Sequence, residues 1–207
     1  NGCIHIAANA HIVTPIHKRI DYCSEENSGQ KIGTTCRGIG PAYVDKYNRC
    51  GIRALDLADS EKLRQTVMDS LELAISSGEL SESDRTDIIP EIDKFLVDSS
   101  TIAPMVKDTF SMLHEMVKNK QNILLEGAQG TMLDVNHGTY PFVTSSSPST
   151  GGISTGLGLP LTKVNRIVGI FKAYTTRVGK GPFPTELFDD DGEKLRDFGK
   201  EYGATTG

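Results

Sequence analysis

The sequence predicts an α/β or mixed fold. Runs rich in β-branched and other apolar residues, typical of strands, occur at residues 11–13, 123–125 and 167–178. Long segments with helical periodicity, and not hairpins alone, separate these runs, which favours a sheet covered by helices. Polar, glycine-containing stretches follow the later runs, at the strand ends where α/β folds place ligands.

Helix signals begin early in the chain. Thr14 is a typical N-cap residue and Pro15 suits the first helical position, so a helix is predicted to start there. Residues 24–30 are polar and are expected to form an exposed loop. Residues 32–53 are punctuated by glycine and contain several basic side chains, which indicates a second loop.

Residues 60–120 carry the strongest helical pattern. A helix is predicted over residues 60–78, where apolar residues recur at every fourth position and Gly78 provides a stop. Residues 79–87 are acidic and polar, so a loop or a short exposed helix is expected. The second helix is marked by Ile102, Val106, Phe110, Leu113 and Val117.

Bulk composition excludes several classes of protein. The 207 residues carry a formal net charge of −5, which gives no global reason to expect nucleic acid or an anionic membrane as partner. No window approaches the roughly 20 apolar residues of a membrane span. The four cysteines lie in the first quarter of the chain without a C-x-x-C pair, which favours reduced thiols in a cytoplasmic protein over zinc ligands or disulfides. Because the chain starts at Asn1 and stops within a polar stretch, we expect it to be part of a longer protein.

Residues 32–53 are a candidate anion site. Thr34 and Thr35, flanked by glycines, can offer hydroxyl and backbone N–H groups to a phosphate. Basic side chains follow within reach in sequence, and arginine suits bidentate phosphate binding; they are Arg37, Lys46, Arg49 and Arg53. A solvated basic loop is the alternative interpretation.

Residues 122–152 form a second candidate. The Gln129 amide can donate to one atom and accept from another, which suits a purine edge or a developing oxyanion. Thr144 follows an apolar clamp at residues 140–142 that would fix its loop. Asp134 and His137 make a poor metal set, because hard cations prefer more carboxylates. A structural serine-rich turn stays open as an alternative.

Residues 173–186 run from a predicted strand into a loop with Arg177 and Lys180. Rigid loops at strand ends often carry binding residues. Residues 189–191 are three consecutive aspartates that lack the alternating spacing of a calcium loop, so an exposed turn is predicted. The glycines near Gly38 and Gly179 fit neither the dinucleotide-binding nor the Walker A pattern.

The stretches "IGTTCRGIGPAYVDKYNRCGIRALDL", "LLEGAQGTMLDVNHGTYPFVTSSSPSTGG", "KAYTTRVGKGPFPTEL" and "EYGATTG" resemble the adenylosuccinate synthetase family. The resemblance covers essentially all of residues 1–207, as the central portion of a single domain with a helical insertion at roughly 60–120. It implies a mixed, largely parallel sheet with flanking helices, similar to P-loop NTPases and incomplete in this chain.

The family resemblance implies a GTP-dependent ligase of purine biosynthesis. Such an enzyme joins IMP and L-aspartate into adenylosuccinate through a 6-phosphoryl-IMP intermediate and releases GDP and phosphate. It needs Mg²⁺, whose ligands would lie outside this chain, so the chain alone is expected to be inactive. The alternatives are a non-catalytic purine-nucleotide-binding module and a structural remnant held together by dimer contacts.

The resemblance also assigns residues of the IMP site. It places Thr35 and Thr144 at the IMP 5′-phosphate, the Val178 backbone at the ribose, and Gln129 at the purine 6-position, where the oxyanion and then the phosphoryl group form. Arg49 would reach the IMP phosphate of the neighbouring subunit in a homodimer.

The last assigned residues are Thr205 and Thr206, which correspond to the start of a mobile aspartate-binding loop. Two positions depart from the pattern, since Cys36 and Cys50 stand where the family more often has Gly, Lys or Arg.

Overall fold

A computed structural model describes residues 3–29 and 32–200. Helices dominate, and they are joined by short 3₁₀ turns and by long loops. The helices are α1 (Pro15–Asn27), α2 (Ile39–Asn48), α3 (Ser60–Ser76), α4 (Glu82–Ile102), α5 (Thr109–Lys118), α6 (Gly151–Leu157) and α7 (Asp190–Gly199). The strands are β1 (Ile6–Ala7) and β2 (Val106–Lys107), and the 3₁₀ turns are Ala54–Ala58, Ala103–Met105, Thr131–Leu133 and Leu161–Lys163.

The sheet consists of β1 and β2 in parallel, with Ile6 opposite Val106. Two-residue strands are too short to show an alternating pattern, so no local pattern predicts them. The strand predicted at residues 11–13 is instead an isolated antiparallel bridge between His11 and Arg53, extended by a hydrogen bond from the Ile12 N–H to the Ile52 carbonyl (2.9 Å).

The other two predicted strands are also wrong for the described structure. Residues 123–125 and 167–178 pair with no other described segment, and Leu124, Ile170 and Phe171 are 88%, 94% and 91% exposed. A strand exists only through hydrogen bonds to a neighbour. β-branched composition favours a strand but cannot supply that neighbour.

Helix α1 begins as predicted. The Thr14 side chain accepts the N–H of His17 and Pro15 follows at the first helical position. The helix continues to Asn27, however, so the loop predicted at residues 24–30 is wrong over its first half. Residues 24, 26 and 27 are exposed on the outer face of the helix, and its inner face packs against α2 and α4.

Helix α2 lies within residues 32–53, which the sequence predicted to be loop throughout. Gly38, with φ of +76°, turns the chain into the helix, and Arg49 ends it in the left-handed conformation. The glycines therefore mark the entry to a helix, and their density concealed it.

Helix α3 matches its prediction to within two residues, and Gly78 follows it with φ of +81°. Helix α4 starts within residues 79–87, where a capping box between Ser81 and Asp84 begins 21 residues of helix. The second predicted helix is instead divided into the end of α4, a 3₁₀ turn, β2 and α5. Asp108 starts α5 by accepting the N–H of Ser111.

The hydrophobic core lies mainly between α3 and α4, with α1 and the Ala54–Ala58 turn closing it. Of the α3 residues that the four-residue spacing marked, Leu63, Val67 and Leu71 are fully buried and Ile75 is half-buried; Ala74 is also buried, outside that spacing. The core consists of Ile16, Ile52, Leu57, Leu63, Val67, Leu71, Ala74, Leu80, Ile88 and Ile92. This helical body supports the loops described next.

The three aspartates at residues 189–191 do not form the predicted exposed turn. Asp189 is the N-cap of α7 and accepts the N–H of Gly192, and the next two acids lie in the first turn. Carboxylates are favourable there because helix N-termini carry positive partial charge.

Candidate functional site

A loop at residues 32–38, called here the threonine loop, is held by two carboxylates of α1. Asp21 accepts the N–H of Gly38 (2.8 Å) and the hydroxyl of Thr34 (3.2 Å). Glu25 accepts the N–H of Gly33 (2.7 Å). Asp21 and Glu25 are four residues apart and therefore lie on one face of the helix. They fix both ends of the loop.

The paired threonines have different roles in this loop. The Thr34 hydroxyl bonds Asp21 and also accepts the N–H of Cys36 (3.3 Å). The Thr35 side chain is exposed and contacts no hydrogen-bonding partner in residues 3–29 and 32–200. Of the two hydroxyls, the one at Thr35 is available to a ligand.

The serine-rich loop, residues 131–149, is organised by Asp134. This residue is 1% exposed, and its carboxylate accepts the N–H groups of Asn136 (2.9 Å) and His137 (3.2 Å) and both the N–H and the hydroxyl of Ser149. The Asn136 N–H, together with the Ser149 hydroxyl, holds the pKa of the Asp134 carboxyl below its ordinary value. Asp134 therefore organises the loop through its hydrogen bonds, a role that the sequence did not predict.

Thr144 lies in the middle of this loop. Its N–H donates to the Leu133 carbonyl (2.8 Å), and its hydroxyl accepts from Ser146 at 3.5 Å. The predicted clamp at residues 140–142 is only partly correct. Phe142 is half-buried, whereas Tyr140 is 79% exposed and clamps nothing in the described structure.

Residues 177–181, called here the arginine loop, connect the other two loops. The Lys180 N–H donates to the Ile32 carbonyl (3.2 Å), and Gly179 lies against Gly33 so closely that an added Cβ would meet the Gly33 oxygen at 2.9 Å. The Arg177 guanidinium donates to the Phe142 carbonyl (2.9 Å). The structure thus brings together the segments that carry Thr35, Thr144 and Val178.

Gln129 precedes the Thr131–Leu133 turn, whose Leu133 carbonyl bonds Thr144. Its backbone has φ of +63°, a conformation that costs roughly 1–2 kcal/mol for residues other than glycine. Its side chain is exposed and bonds no described group. Strained backbone at an exposed polar residue is a common property of functional sites.

Arg49 ends α2 with φ of +65°. Its side chain is exposed and forms no ion pair or hydrogen bond with the described residues. Nothing in the described chain links it to the three loops. Lys46, by contrast, lies over the rings of Tyr43 (5.1 Å) and Tyr47 (5.8 Å), so its ammonium group forms cation–π contacts within α2.

The described residues do not fit a magnesium site. No group of three or more His, Cys, Asp or Glu side chains within them could hold a metal ion, and the Asp134 oxygens are already occupied by protein donors. All four cysteines are free thiols. In the described part of the chain, no helix is long and apolar enough to span a membrane.

Comparison with known proteins decides the family. The family profile described as adenylosuccinate synthetase matches residues 1–207. This chain belongs to the adenylosuccinate synthetase family. The family resemblance noted in the sequence is therefore confirmed.

Individual members of the family are similar along the whole chain. An adenylosuccinate synthetase from Streptomyces coelicolor is 48% identical over 215 residues, covering 98% of this chain, and one from Geotalea uraniireducens is 50% identical over 209 residues, covering 100%. In both cases the chain spans 48% of the relative.

A solved structure of an adenylosuccinate synthetase supports the fold class. The fully ligated enzyme from Plasmodium falciparum superposes with a TM-score of 0.87 at 38% identity, over 98% of this chain and 48% of that one. The predicted α/β class of fold, incomplete in this chain, is confirmed, although the individual strands were misplaced.

Sequence reasoning missed the groups that support the site. Glu25 was overlooked because the last turn of α1 was assigned to a loop, and Asp21 because no partner for it is near in sequence; the four-residue spacing of these two acids was the available signal. Arg177 was noted as a basic residue without a partner, since its contact to residue 142 is remote in sequence. The predicted aspartate-binding residues Thr205 and Thr206 lie outside the described residues.

Proposed function

We propose that the intact protein carrying this chain is a GTP-dependent ligase that joins IMP and L-aspartate to give adenylosuccinate, GDP and phosphate. The observation that supports this function is the family match over all 207 residues. The contacts that bring the loops of Thr35, Thr144 and Val178 together are consistent with one nucleotide site.

The proposed reaction has two balanced steps. The 6-oxygen of IMP attacks the γ-phosphorus of GTP, forming an O–P bond while the bond to GDP breaks. The aspartate amino nitrogen then attacks C6, and phosphate leaves with the former 6-oxygen as the amine loses its proton. The first step converts a poor leaving group into a good one, and positioning and charge stabilisation supply most of the catalysis.

In this proposal Gln129 donates its amide N–H to the 6-oxygen as negative charge develops there. Thr35 and Thr144 bind the 5′-phosphate through their hydroxyl groups, and the Val178 backbone lies against the ribose. The free Thr35 hydroxyl and the exposed Gln129 amide support these roles.

Two further assignments concern groups beyond one nucleotide pocket. Arg49 is proposed to bind the IMP phosphate of the partner subunit in a homodimer, for which its exposed, unpaired side chain is suited. Thr205 and Thr206 are proposed to contribute to the aspartate site. Mg²⁺ is proposed to act with ligands outside this chain.

The function is tested by incubating the purified intact protein with IMP, L-aspartate, GTP and Mg²⁺ and separating the products by chromatography. We expect adenylosuccinate, GDP and phosphate in equal amounts, with no product when any one substrate is left out. A protein that binds IMP in calorimetry but forms no adenylosuccinate would instead be a nucleotide-binding module.

The intermediate is tested separately. IMP carrying heavy oxygen at position 6 should transfer that atom to the released phosphate, as detected by mass spectrometry. Adenylosuccinate formation with release of the heavy oxygen into water, and none in phosphate, would exclude the 6-phosphoryl route.

A further inference from the structure

The arginine loop holds a guanidinium group that bonds only main-chain oxygens. Arg177 Nη2 lies 2.9 Å from the Phe142 carbonyl and 2.9 Å from the Lys180 carbonyl, and Nε lies 3.1 Å from the Lys180 carbonyl. Nη2 therefore donates both within the arginine loop and to the serine-rich loop, whose Phe142 is 35 residues before Arg177 in sequence.

No described acidic side chain lies within ion-pair distance of Arg177. Carbonyl oxygens carry only partial charges, so the full positive charge of the half-buried guanidinium is not neutralised within the described chain.

Gly181 is shaped for this contact. It has φ of +123°, and an added Cβ would collide with Arg177 Nη2 and would lie 2.7 Å from Phe142 Cβ. Only glycine leaves room here for the guanidinium to reach the Phe142 carbonyl. Arg177 and Gly181, at the two ends of the arginine loop, thus both contribute to the close approach to Phe142.

The same loop is bonded to the threonine loop through Lys180 and Ile32 and through the Gly33–Gly179 contact. Residue 142 is two positions before Thr144, and residue 177 is one position before Val178. Displacing the guanidinium would therefore shift Thr144 relative to Val178 and Thr35, the three residues proposed to bind one nucleotide.

We propose that Arg177 is a positioning residue of the IMP site, which fixes the serine-rich loop to the arginine loop and supplies an unneutralised positive charge beside the phosphate-binding residues. This inference rests on the proposed function. It predicts that loss of the guanidinium weakens the use of IMP far more than the use of GTP or L-aspartate.

The test compares steady-state kinetics of intact wild-type protein with Arg177→Ala and Arg177→Lys. We expect Arg177→Ala to raise KM for IMP about 10-fold to 100-fold, which corresponds to the loss of one or two charge-assisted hydrogen bonds. KM for GTP and for L-aspartate should stay within about threefold. Arg177→Lys keeps the charge but not the planar fork, so its KM for IMP should be intermediate.

Chemical rescue separates positioning from general loosening. Millimolar guanidinium ion, far below denaturing concentrations, should restore IMP use in Arg177→Ala. Gly181→Ala should raise KM for IMP like Arg177→Ala, but guanidinium should not rescue it because the added methyl group blocks the position. Arg166→Ala, an exposed arginine outside the loops, is the matched control and should behave like wild type.

The outcomes distinguish the two proposals. A wild-type protein that makes no adenylosuccinate removes the proposed function. If the wild type is active, three results for Arg177→Ala would each contradict the proposal for Arg177. They are a KM for IMP within twofold of wild type, an equal rise in all three KM values, and no rescue by guanidinium. If Arg177→Ala does not fold, KM values of Arg177→Lys and Gly181→Ala serve instead. A rise in KM for IMP alone supports the proposal, and unchanged or equally raised KM values contradict it.

Discussion

At the scale of single residues, three positions of the candidate site have left-handed backbone without being glycine. They are Cys36 next to Thr35, Arg49, and Gln129, with φ of 49°, 65° and 63°. Each such residue costs free energy that the surrounding structure must offset. Such conformations are enriched at functional sites, which directs attention to the Gln129 amide, whereas Arg49 is a helix C-cap, where left-handed backbone is common.

Replacement of Gln129 by alanine should slow the chemical step rather than weaken IMP binding. Loss of one donor to a developing oxyanion lowers kcat by about 100-fold or more, whereas KM for IMP should change less than about fivefold. Steady-state kinetics of the intact protein measure both quantities.

Two companion variants make the Gln129 result specific. Gln129→Gly relieves the left-handed backbone, so an equal loss of kcat in the glycine and alanine variants assigns the effect to the missing amide. Gln121→Ala, at an exposed glutamine after α5, should leave both constants unchanged. A Gln129→Ala variant with full kcat would remove Gln129 from the chemistry.

Asp84 should make the stability of the helical body dependent on pH. The Ser81 hydroxyl and N–H, with Arg19 adding an ion pair at 2.6 Å, lower the pKa of Asp84 to about 2 from its ordinary 3.8. Because the folded pKa is depressed, the ionised carboxylate stabilises the fold above about pH 4, and this stabilisation disappears as the pH falls through 2.

Asp84→Asn is therefore expected to lower the free energy of unfolding by about 1–2 kcal/mol at pH 7. The difference from wild type should shrink between pH 4 and pH 2 in urea unfolding followed by circular dichroism. Asp87→Asn removes only the exposed partner of the same arginine and should cost less than about 0.5 kcal/mol. A pH-independent difference would contradict the assignment.

At the scale of elements, α1 is the support of the candidate site. Its buried N-terminal end includes His17, whose Nδ1 accepts the Thr14 N–H, so that Nε2 carries the proton and donates to Asp45 of α2 (2.9 Å). One and two turns further along, Asp21 and Glu25 hold the threonine loop. The helix thus fixes α2 at one end and the loop along its length.

Asp21→Ala should loosen the threonine loop selectively. It frees the Gly38 N–H and the Thr34 hydroxyl, and KM for IMP is expected to rise about 5-fold to 20-fold, with KM for GTP within twofold. Asp21→Asn keeps one acceptor oxygen and should show a smaller effect.

Ser24→Ala, on the exposed face of α1, is the control for Asp21 and should change neither KM. If Asp21→Ala instead raised the KM of every substrate equally, the helix would serve general stability and not the position of the loop.

At the scale of the whole molecule, the proposed function needs more than this chain, namely the rest of the intact protein and a second subunit. It spans about half the length of the curated relatives it matches. Apolar side chains at residues 167–171 are exposed, and Arg49 has no partner in the described structure.

The proposed exchange of Arg49 between subunits predicts complementation. Arg49→Ala and Gln129→Ala should each be impaired alone. In a heterodimer of the two intact variants, one site combines a native Gln129 with a native Arg49 from the partner. Random mixing should therefore restore about a quarter of wild-type activity.

Native mass spectrometry of the mixture provides the check on complementation. Heterodimers without recovered activity would place Arg49 in its own subunit's site or outside any site. Mixing Gln129→Ala with Gln129→Gly gives no native site in any dimer and sets the baseline.

The sequence by itself determined the family, the start of α1, and helix α3 with most of its core residues, whereas the positions assigned to IMP binding stay predictions. These features are local: a cap, a four-residue repeat and contiguous motifs are each written in adjacent residues. The helical start at Gly38 and the long helix α4 were not predicted because glycine, proline and acidic residues weaken the local helical signal. Packing against α1 and α3 stabilises these helices despite that weak signal.

Only the tertiary structure decided which residues act together. It separated the role of Thr34 from that of Thr35, placed Asp134 at the centre of the hydrogen bonds of its loop, and joined Arg177 to a carbonyl 35 residues away. It also left residues 123–125 and 167–178 without strand partners in the described chain. Hydrogen bonds between remote segments depend on where the chain is folded, and no local pattern records them.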